Sequence, residues 1–504
     1  MAEKRNASVL AIVEESTPGT LAFPSAATDY IALQPDYDFE PNTEIQQNEE
    51  LRNSIGRSKP ILGNQNPKAS FSHYFRHSGV EGQKPNYSKL MKSLFGAEYV
   101  ASTEYDTVAS STTKVVKVDT GEGANFRRGQ LLLPKDSVNG YHPRPILSVS
   151  GDDLTLAFAL PGAPALGVNL GKSITWEAAN SGHSKLSLHL YEGNGGAYVA
   201  EAGVQVQEAA FSIQAGQLIN IGFSGEGTSY LFNPVRIQAA DTKFDFTDGA
   251  GAKVGTIVAK VYNNPNELAA AIEAALNAAG SSDTFTCVYN NRGANAGKYT
   301  LTSDGSTFSI NAASGSPNFA NSGWDKIGFA ASNLTGSLTY TSATAASWAA
   351  PHTPSYDDAD PNVAKSAEVY LGNQDDAVCI GLRQFDMTVS LGIQQVPDLC
   401  EDSGISEKSV NERDASCNFV AKLSRHDADL FDRYINGTET GFFFCAGKKS
   451  GGNFIPGTVV YLYIPTATLS AFKTADADGN IVIEGTATAF VNSDGEPEVY
   501  AGCA

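Results

Sequence analysis

Between Val378 and Cys445 the chain repeats a pattern of alternating apolar and polar residues separated by polar intervals. The run Val378–Leu391 alternates in this way, and a second apolar run covers Cys417–Leu423. A period of two is typical of strands that bury one face. A short helical pattern and an apolar strand, Gly441–Cys445, complete the stretch. This order, with a long polar loop over 392–416, predicts a β-sandwich covered by one helix.

The helical pattern in this stretch has one apolar face. Its members are spaced three and four positions apart, which places them on one side of a helix. We predict that this side packs on the sandwich, through Leu430, Phe431, Tyr434 and Ile435.

The rest of the chain is also rich in short strand patterns and in glycine, with 48 glycines in 504 residues. Long helical patterns are almost absent, so we predict a mainly β fold. One helix pattern has Leu90, Met91, Leu94 and Phe95 on a single face. Another begins at Asn264–Pro265, where a capping residue precedes a proline in the first turn.

Shifts in composition divide the chain into five segments. Residues 234–348 are rich in Ala, Gly, Ser and Asn and combine a helix with strands, so we predict an inserted α+β domain there. Prolines and charges indicate a linker after it. The predicted segments are 1–60, an extended N-terminal arm; 61–233, the first part of the β-domain; 234–348, the inserted domain; 349–377, the linker; and 378–504, the second part of the β-domain.

The chain is acidic, with a formal net charge of −20, and most of the excess lies in its last third. From residue 349 to the end, 23 Asp and Glu face 10 Lys and Arg, a net charge of −13. Two interpretations remain open: a solvated surface that favours solubility, or a surface that repels the phosphates of nucleic acid. No basic stripe suited to gripping DNA is visible.

The runs that come nearest to catalytic or metal-binding motifs lack residues that those motifs require. The run Ala475–Asn480 resembles a calcium loop but lacks the ligands at the required positions. His73 and His77 are four apart, yet the glutamate that a zinc protease needs after the first histidine is missing. Nucleotide-binding and nucleophile-elbow motifs are absent. We therefore expect neither catalytic residues nor a metal site, and no cofactor.

Neither a secretory leader pattern nor an apolar stretch of membrane-spanning length occurs, so we expect synthesis and folding in a cytoplasm. The six cysteines lack metal-binding spacing. They are interpreted as small buried residues, with disulfides as the open alternative. The six are Cys287, Cys379, Cys400, Cys417, Cys445 and Cys503.

Several runs resemble one family. The opening Leu10–Thr20 and the middle run Gly203–Gln217 resemble the tail tube proteins of long-tailed bacteriophages. The C-terminal order of strands around one helix is similar to theirs. Within the inserted domain, Pro265–Ile272 and Trp324–Phe329 resemble a module of phage structural proteins.

This resemblance implies a tail-tube-type β-sandwich or barrel and a structural role in the virion tail. Subunits would form rings, usually sixfold or as trimers of double-domain subunits. These rings would stack into a hollow tube, with other tail proteins at its ends. Phage DNA would pass through the lumen without specific binding, and assembly would take place in the host cytoplasm. The arm and the 392–416 loop would bridge neighbouring rings.

In a closed barrel, lumen-facing residues alternate with core-facing ones. The resemblance therefore makes Asp386, Thr388 and Ser390 candidate lumen residues. The inserted domain is expected outside the tube, where Trp324, Tyr340 and Trp348 either pack in its core or stack on sugars. Alternative functions are another phage structural protein, such as a capsid decoration or tail-tip component, and a surface-binding adhesin.

Overall fold

The computed structural model describes residues 7–50, 58–135, 140–193, 195–357, 359–365, 367–372, 378–400, 404–422, 428–477, 479–491, 495 and 497–504. The chain is mainly β, with 47% strand and 10% helix, so the predicted fold class is confirmed. The helices in the described ranges are α1 (Ser88–Phe95), α2 (Pro265–Ala278) and α3 (Ala428–Asn436).

The strands are short in most of the chain and long near its end. The first half contains β1 (Val9–Glu14), β2 (Tyr30–Ile31), β3 (Asp38–Glu40), β4 (Thr43–Gln46), β5 (Ile61–Gln65), β6 (Lys68–Tyr74), β7 (Gly96–Ala101), β8 (Val115–Lys117), β9 (Leu131–Leu132), β10 (Arg144–Ser150), β11 (Asp153–Leu156), β12 (Ser173–Ala178), β13 (Leu186–Glu192), β14 (Ala197–Gln214), β15 (Asn220–Glu226), β16 (Ser229–Phe232) and β17 (Val235–Arg236).

The second half contains β18 (Lys243–Asp248), β19 (Gly251–Thr256), β20 (Val261–Tyr262), β21 (Phe285–Tyr289), β22 (Tyr299–Ser303), β23 (Phe308–Ile310), β24 (Leu334–Ser337), β25 (Thr339–Thr341), β26 (Glu368–Leu371), β27 (Val378–Cys379), β28 (Leu382–Pro397), β29 (Ile405–Lys422), β30 (Thr440–Ala446), β31 (Lys449–Ser450), β32 (Asn453–Phe454), β33 (Val460–Ala477), β34 (Asn480–Ala489) and β35 (Tyr500–Cys503).

The chain divides into two compact units. The smaller unit comprises Met1–Leu10, His189–Glu201 and Tyr230–Pro351, and the larger one comprises Ala11–Leu188, Ala202–Ser229 and His352–Ala504. The predicted inserted domain, 234–348, lies within the longest segment of the smaller unit.

The larger unit is built on one antiparallel sheet. Its strands follow the order β3, β6, β15, β14, β28, β29, β34 and β33. The first half of β33 also pairs with β30 on one side and β35 on the other, and these lead to β26 and β12. Because β33 belongs to both parts, the sheet folds back on itself around the core.

Helix α1 covers this core with the stripe expected from the sequence. Leu90, Met91, Leu94 and Phe95 are each at most 1% exposed. The helix ends where Gly96 adopts φ +88°, a conformation that side chains disfavour.

The smaller unit has a separate apolar core beneath α2. The side chain of Asn264 caps this helix by accepting hydrogen bonds from the backbone N–H groups of Asn266 and Glu267, both at 3.0 Å. Trp324 is 1% exposed, and its indole N–H donates to the carbonyl of Asp245 at 3.0 Å. Trp324 is therefore a core residue, which excludes stacking on a sugar at this position.

The predicted N-terminal arm contains a buried strand. Leu10, Ala11 and Ile12 of β1 are fully buried, so this part of 1–60 is core rather than arm. The predicted linker is also partly ordered into the larger unit: β26 pairs with β30, and the backbone N–H of Asn86 donates to the carboxylate of Asp357 at 3.0 Å. The prolines and charges of this segment predicted a linker, and they gave no indication of the strand or of the contact.

The cysteines with described side chains are free thiols: Cys287, Cys400, Cys417, Cys445 and Cys503. Burial raises the pKa of the Cys287 and Cys417 thiols to about 12, which keeps them protonated and unreactive. The side chain of Cys379 lies outside the part of the chain that the structure describes.

Two histidines lie in the core of the larger unit, in β6 and in the turn after it, and not on one helix face as their spacing suggested. His73 Nδ1 donates to the carbonyl of Ala32 at 2.7 Å, and His77 Nδ1 accepts from the N–H of Gly79 at 3.0 Å. Both are 1% exposed, and burial lowers the pKa of each to about 4.

We predict an acid-sensitive stability from these two groups. Below pH 6.5 the unfolded chain binds protons that the folded chain excludes. The free energy of unfolding should therefore fall between about pH 6.5 and pH 4, by up to about 3 kcal/mol for each histidine. Urea unfolding at a series of pH values measures this. His77→Asn should flatten the dependence, whereas His352→Gln serves as a control; equal stability of the unmodified protein at pH 7 and pH 4.5 would contradict the prediction.

Candidate functional site

The most extensive regular surface of the larger unit is one side of its main sheet. Outward-pointing residues of six neighbouring strands form rows across it. One row joins Ser72, Gly222, Ala210, Thr388, Ser416 and Thr488, and the next joins Tyr74, Asn220, Ser212, Asp386, Asn418 and Thr486. We call these two rows, with Ser70, Ser224, Glu208, Ser390 and Asp414 beside them, the polar face.

The polar face exists because β28 alternates strictly in the middle of the sheet. Phe385, Met387, Val389 and Leu391 are at most 3% exposed and point into the core. The intervening residues point the other way, and a strand cannot bury both sets on one side. The candidate lumen residues Asp386, Thr388 and Ser390 are these intervening residues, and all three are half-buried on the polar face.

The side chains of the polar face bind one another. Ser212 Oγ donates to Asp386 Oδ1 at 3.0 Å, and Thr486 Oγ1 donates to Asn418 Oδ1 at 2.7 Å. The charged members are Glu208, Asp386 and Asp414, all acidic. The face therefore combines negative charge with small hydroxyl groups, and those of Ser212 and Thr486 are engaged with neighbouring side chains.

Strands β28 and β29 extend beyond this sheet as a hairpin. The sequence predicted a loop over 392–416, but the two strands remain paired from Gly392–Glu412 to Pro397–Ile405. Both faces of this part are largely polar, which removed the apolar alternation that marks a strand. At the tip, the side chain of Leu399 is fully exposed.

Two buried ion pairs hold the base of the β28–β29 hairpin. Arg413 forms a fork with the carboxylate of Glu498, with Nη2 at 2.9 Å from Oε2, and its Nη1 donates to the carbonyl of Ala179 at 2.6 Å. Lys408 Nζ lies 3.2 Å from Glu226 Oε2, and the lysine side chain is completely buried. No sequence motif indicated these partners, because each pair joins residues far apart in the chain.

A second hairpin, formed by β4 and β5, has exposed apolar residues. Ile45 pairs with Leu62 across the two strands, and Ile61 is adjacent. Their exposed fractions are 60%, 73% and 60%. An isolated two-stranded hairpin is marginally stable in water, so these residues form a surface suited to a partner.

Helix α3 contacts β33 through part of its predicted stripe. Phe431 meets Phe472 edge to face with ring centroids 4.7 Å apart, and Tyr434 stacks on the same ring at 6.0 Å. Leu430 is buried. Ile435 differs from the expectation: it is 74% exposed and does not pack on the sheet of its own subunit. It lies one residue from the helix end.

Three further kinds of feature would be visible in the described ranges: metal sites, clefts with unpaired charges and membrane-spanning helices. No group of three or more His, Cys, Asp or Glu residues there could hold a metal ion. A polar cleft beside α1 contains Lys84, Lys89 and Lys92, and each lysine is paired with a carboxylate. No described helix is long and apolar enough to cross a membrane.

Part of the chain is similar to a known protein family. A family model described as "Phage tail tube protein" matches residues 5–252. The match includes β6, β14 and β15 of the polar face and ends within β19, so β28, β29, β33 and β34 lie beyond it. No curated protein matches the chain.

The ion pair at the hairpin base should contribute to stability. Arg413→Ala leaves the carboxylate of Glu498 buried without its guanidinium, and we expect a loss of about 3 kcal/mol in the free energy of unfolding. The matched control is Lys473→Ala, which removes an exposed pair with Glu484 on the same sheet. That change should have little effect, since exposed pairs contribute little. Urea unfolding compares the two variants, and equal losses would refute the assignment.

Proposed function

The chain belongs to the phage tail tube protein family through residues 5–252, and from this membership we propose that its subunits form rings that stack into the hollow tail tube through which phage DNA passes. The role is structural and requires no catalytic residue or cofactor. The observation that carries the proposal is the polar face, a broad sheet surface with acidic side chains and small hydroxyl groups. The rings are sixfold, as is usual in tubes of this type, and assemble in the host cytoplasm with other tail proteins at the tube ends.

The polar face lines the lumen in this proposal. DNA must move past the wall without binding, so the wall needs negative charge and few free donors. Asp386 supplies charge, and Thr388 and Ser390 present small hydroxyl groups beside it. Side chains that bind one another, as Ser212 and Asp386 do, have little to offer a phosphate.

Sheet edges provide the means of closing a ring. At one end of the main sheet, β3 pairs only with β6 among the described strands, and at the other end 471–477 of β33 pair only with β34. Unpaired edges favour pairing with another chain. A ring joins the β3 edge of one subunit to the β33 edge of the next, which makes the polar faces continuous.

Hairpins connect one ring to the next. The β28–β29 hairpin extends beyond the sheet and ends in the exposed Leu399, and the β4–β5 hairpin presents Ile45, Ile61 and Leu62. Burial of these apolar side chains on a neighbouring subunit stabilises the stack. The segment 234–348 has a core of its own and decorates the outer surface of the tube.

We predict that the hairpin tip is needed for stacking. Leu399→Glu places a charge in the interface between rings and should prevent tubes while leaving the subunit folded. Leu166→Glu is the control, because Leu166 is 72% exposed and lies outside both hairpins. Negative-stain electron microscopy of the concentrated proteins should show hollow tubes for the unmodified protein and the control only. Small oligomers of the unmodified protein that never stack, even when seeded with tail-tip complexes, would refute the tube and favour a capsid decoration or tail-tip component.

The lumen assignment generates a separate prediction. Asp386→Lys introduces one lysine per subunit into the polar face, so assembled tubes should retain DNA that the unmodified tubes release. Asp304→Lys makes the same change of charge in an exposed turn of the smaller unit. Co-sedimentation of tubes with short duplex DNA at low salt measures retention, which should fall steeply as salt rises. Equal retention by both variants would place Asp386 outside the lumen.

A further inference from the structure

A lysine, an asparagine and a glutamate meet at the base of the β28–β29 hairpin. Lys408 lies in β29, Asn66 directly follows β5, and Glu226 ends β15. Lys408 Nζ contacts Asn66 Oδ1 and lies 3.2 Å from Glu226 Oε2. The lysine side chain is 0% exposed and that of the glutamate 12% exposed.

The charge of Glu226 does not explain the buried lysine. Lys68 Nζ lies 3.7 Å from the other oxygen of Glu226, and Lys68 is 52% exposed, so the carboxylate already has a hydrated counterion. Lysine side chains are almost never completely buried, because removal of an ammonium from water is unfavourable. If the lysine nitrogen becomes part of an amide, it is uncharged, and its burial no longer removes an ammonium from water.

We propose that Lys408 and Asn66 form an intramolecular isopeptide bond, with Glu226 as the group that transfers the proton. The ammonium of Lys408 gives a proton to the Glu226 carboxylate, and the resulting amine attacks the side-chain carbonyl carbon Cγ of Asn66. The tetrahedral intermediate is stabilised by the Glu226 carboxylic acid. Collapse breaks the Cγ–Nδ2 bond and releases ammonia, which takes up the displaced proton, and Glu226 is left as it began. No oxidant or other reactant is needed.

The surroundings favour this reaction over its competitors. Burial of the Lys408 side chain disfavours its ammonium form, which favours loss of a proton to the neighbouring carboxylate. The same burial limits the access of water that would compete with the amine. Asparagine commonly loses ammonia by cyclising onto the next backbone nitrogen, but here that nitrogen belongs to Pro67 and carries no hydrogen. The backbone N–H of Asn66 donates to the carbonyl of Asn42 at 3.2 Å, which fixes the segment in place.

The bond would tie together two segments 342 positions apart in sequence. One is the segment that leads from the β4–β5 hairpin into β6, and the other is the β28–β29 hairpin. The two already run in close contact, because a side chain at Gly404 would collide with Asn64. A covalent bond at this point keeps both hairpins attached to the sheet under mechanical load. The bond is a property of the single subunit and does not depend on tube formation.

Intact mass spectrometry of the full-length purified protein tests this inference. We expect a mass about 17 Da below the sequence mass, the loss of one ammonia. Proteolysis followed by tandem mass spectrometry should yield a branched peptide that joins Asn66 to Lys408. A protein with its full sequence mass would overturn the proposal, as would the same deficit in unbranched peptides.

Three variants assign the roles. Lys408→Arg keeps a cation but removes the nucleophile, and after correction for the substitution it should have its full mass. Glu226→Gln keeps the shape of the side chain but cannot accept the proton, so it should also remain uncrosslinked. Lys449→Arg is the control, because Lys449 pairs with Glu368 elsewhere, and it should retain the deficit. A branched peptide in the Glu226→Gln protein would overturn the role of that glutamate.

Discussion

Strand β28 is paired on both sides over 384–390, with β14 and β29, and this double pairing fixes the direction of the side chains there. The backbone hydrogen bonds set the register, and the period of two then sends Phe385, Met387 and Val389 inward and Asp386, Thr388 and Ser390 outward. A slip of one residue would put Asp386 in the core and Met387 in solvent. Burial of the apolar side therefore fixes which residues form the polar face. The acidic side chains point outward because the apolar side chains between them pack in the core.

Strands β28 and β29 continue beyond the part of the sheet that packs on the core, so the hairpin needs other contacts to hold it in place. Charged groups at its base provide these contacts. Arg413 reaches the carboxylate of Glu498 and a carbonyl at Ala179, and Lys408 reaches Glu226. These contacts connect β29 with elements near the middle and the end of the chain, and desolvation makes such pairs unfavourable to break. The hairpin is thus a rigid extension of the sheet.

Small polar residues cover most of the polar face. Serine, threonine and asparagine occupy the outer side of a sheet without attracting apolar partners, and Thr486 and Asn418 hydrogen-bond to each other there. Protein surfaces that grip DNA do the opposite, because they offer lysine and arginine to phosphates. In the proposed tube, weak interaction of DNA with the wall is the useful property, and the negative charge of the polar face provides it.

The sequence pattern by itself predicted the elements in which the spacing of apolar residues shows which face is buried. The alternation in β28 and the stripe of α1 have a regular period, and the predicted faces are the buried ones. The tertiary structure decided the rest. It buried β1 within the expected arm, paired 392–397 with 405–412 although neither face is apolar, and left Ile435 exposed at the end of α3. It also brought Asn66, Glu226 and Lys408 together. Periodicity reports which side of an element avoids water, whereas a meeting of residues hundreds of positions apart depends on how the sheet closes.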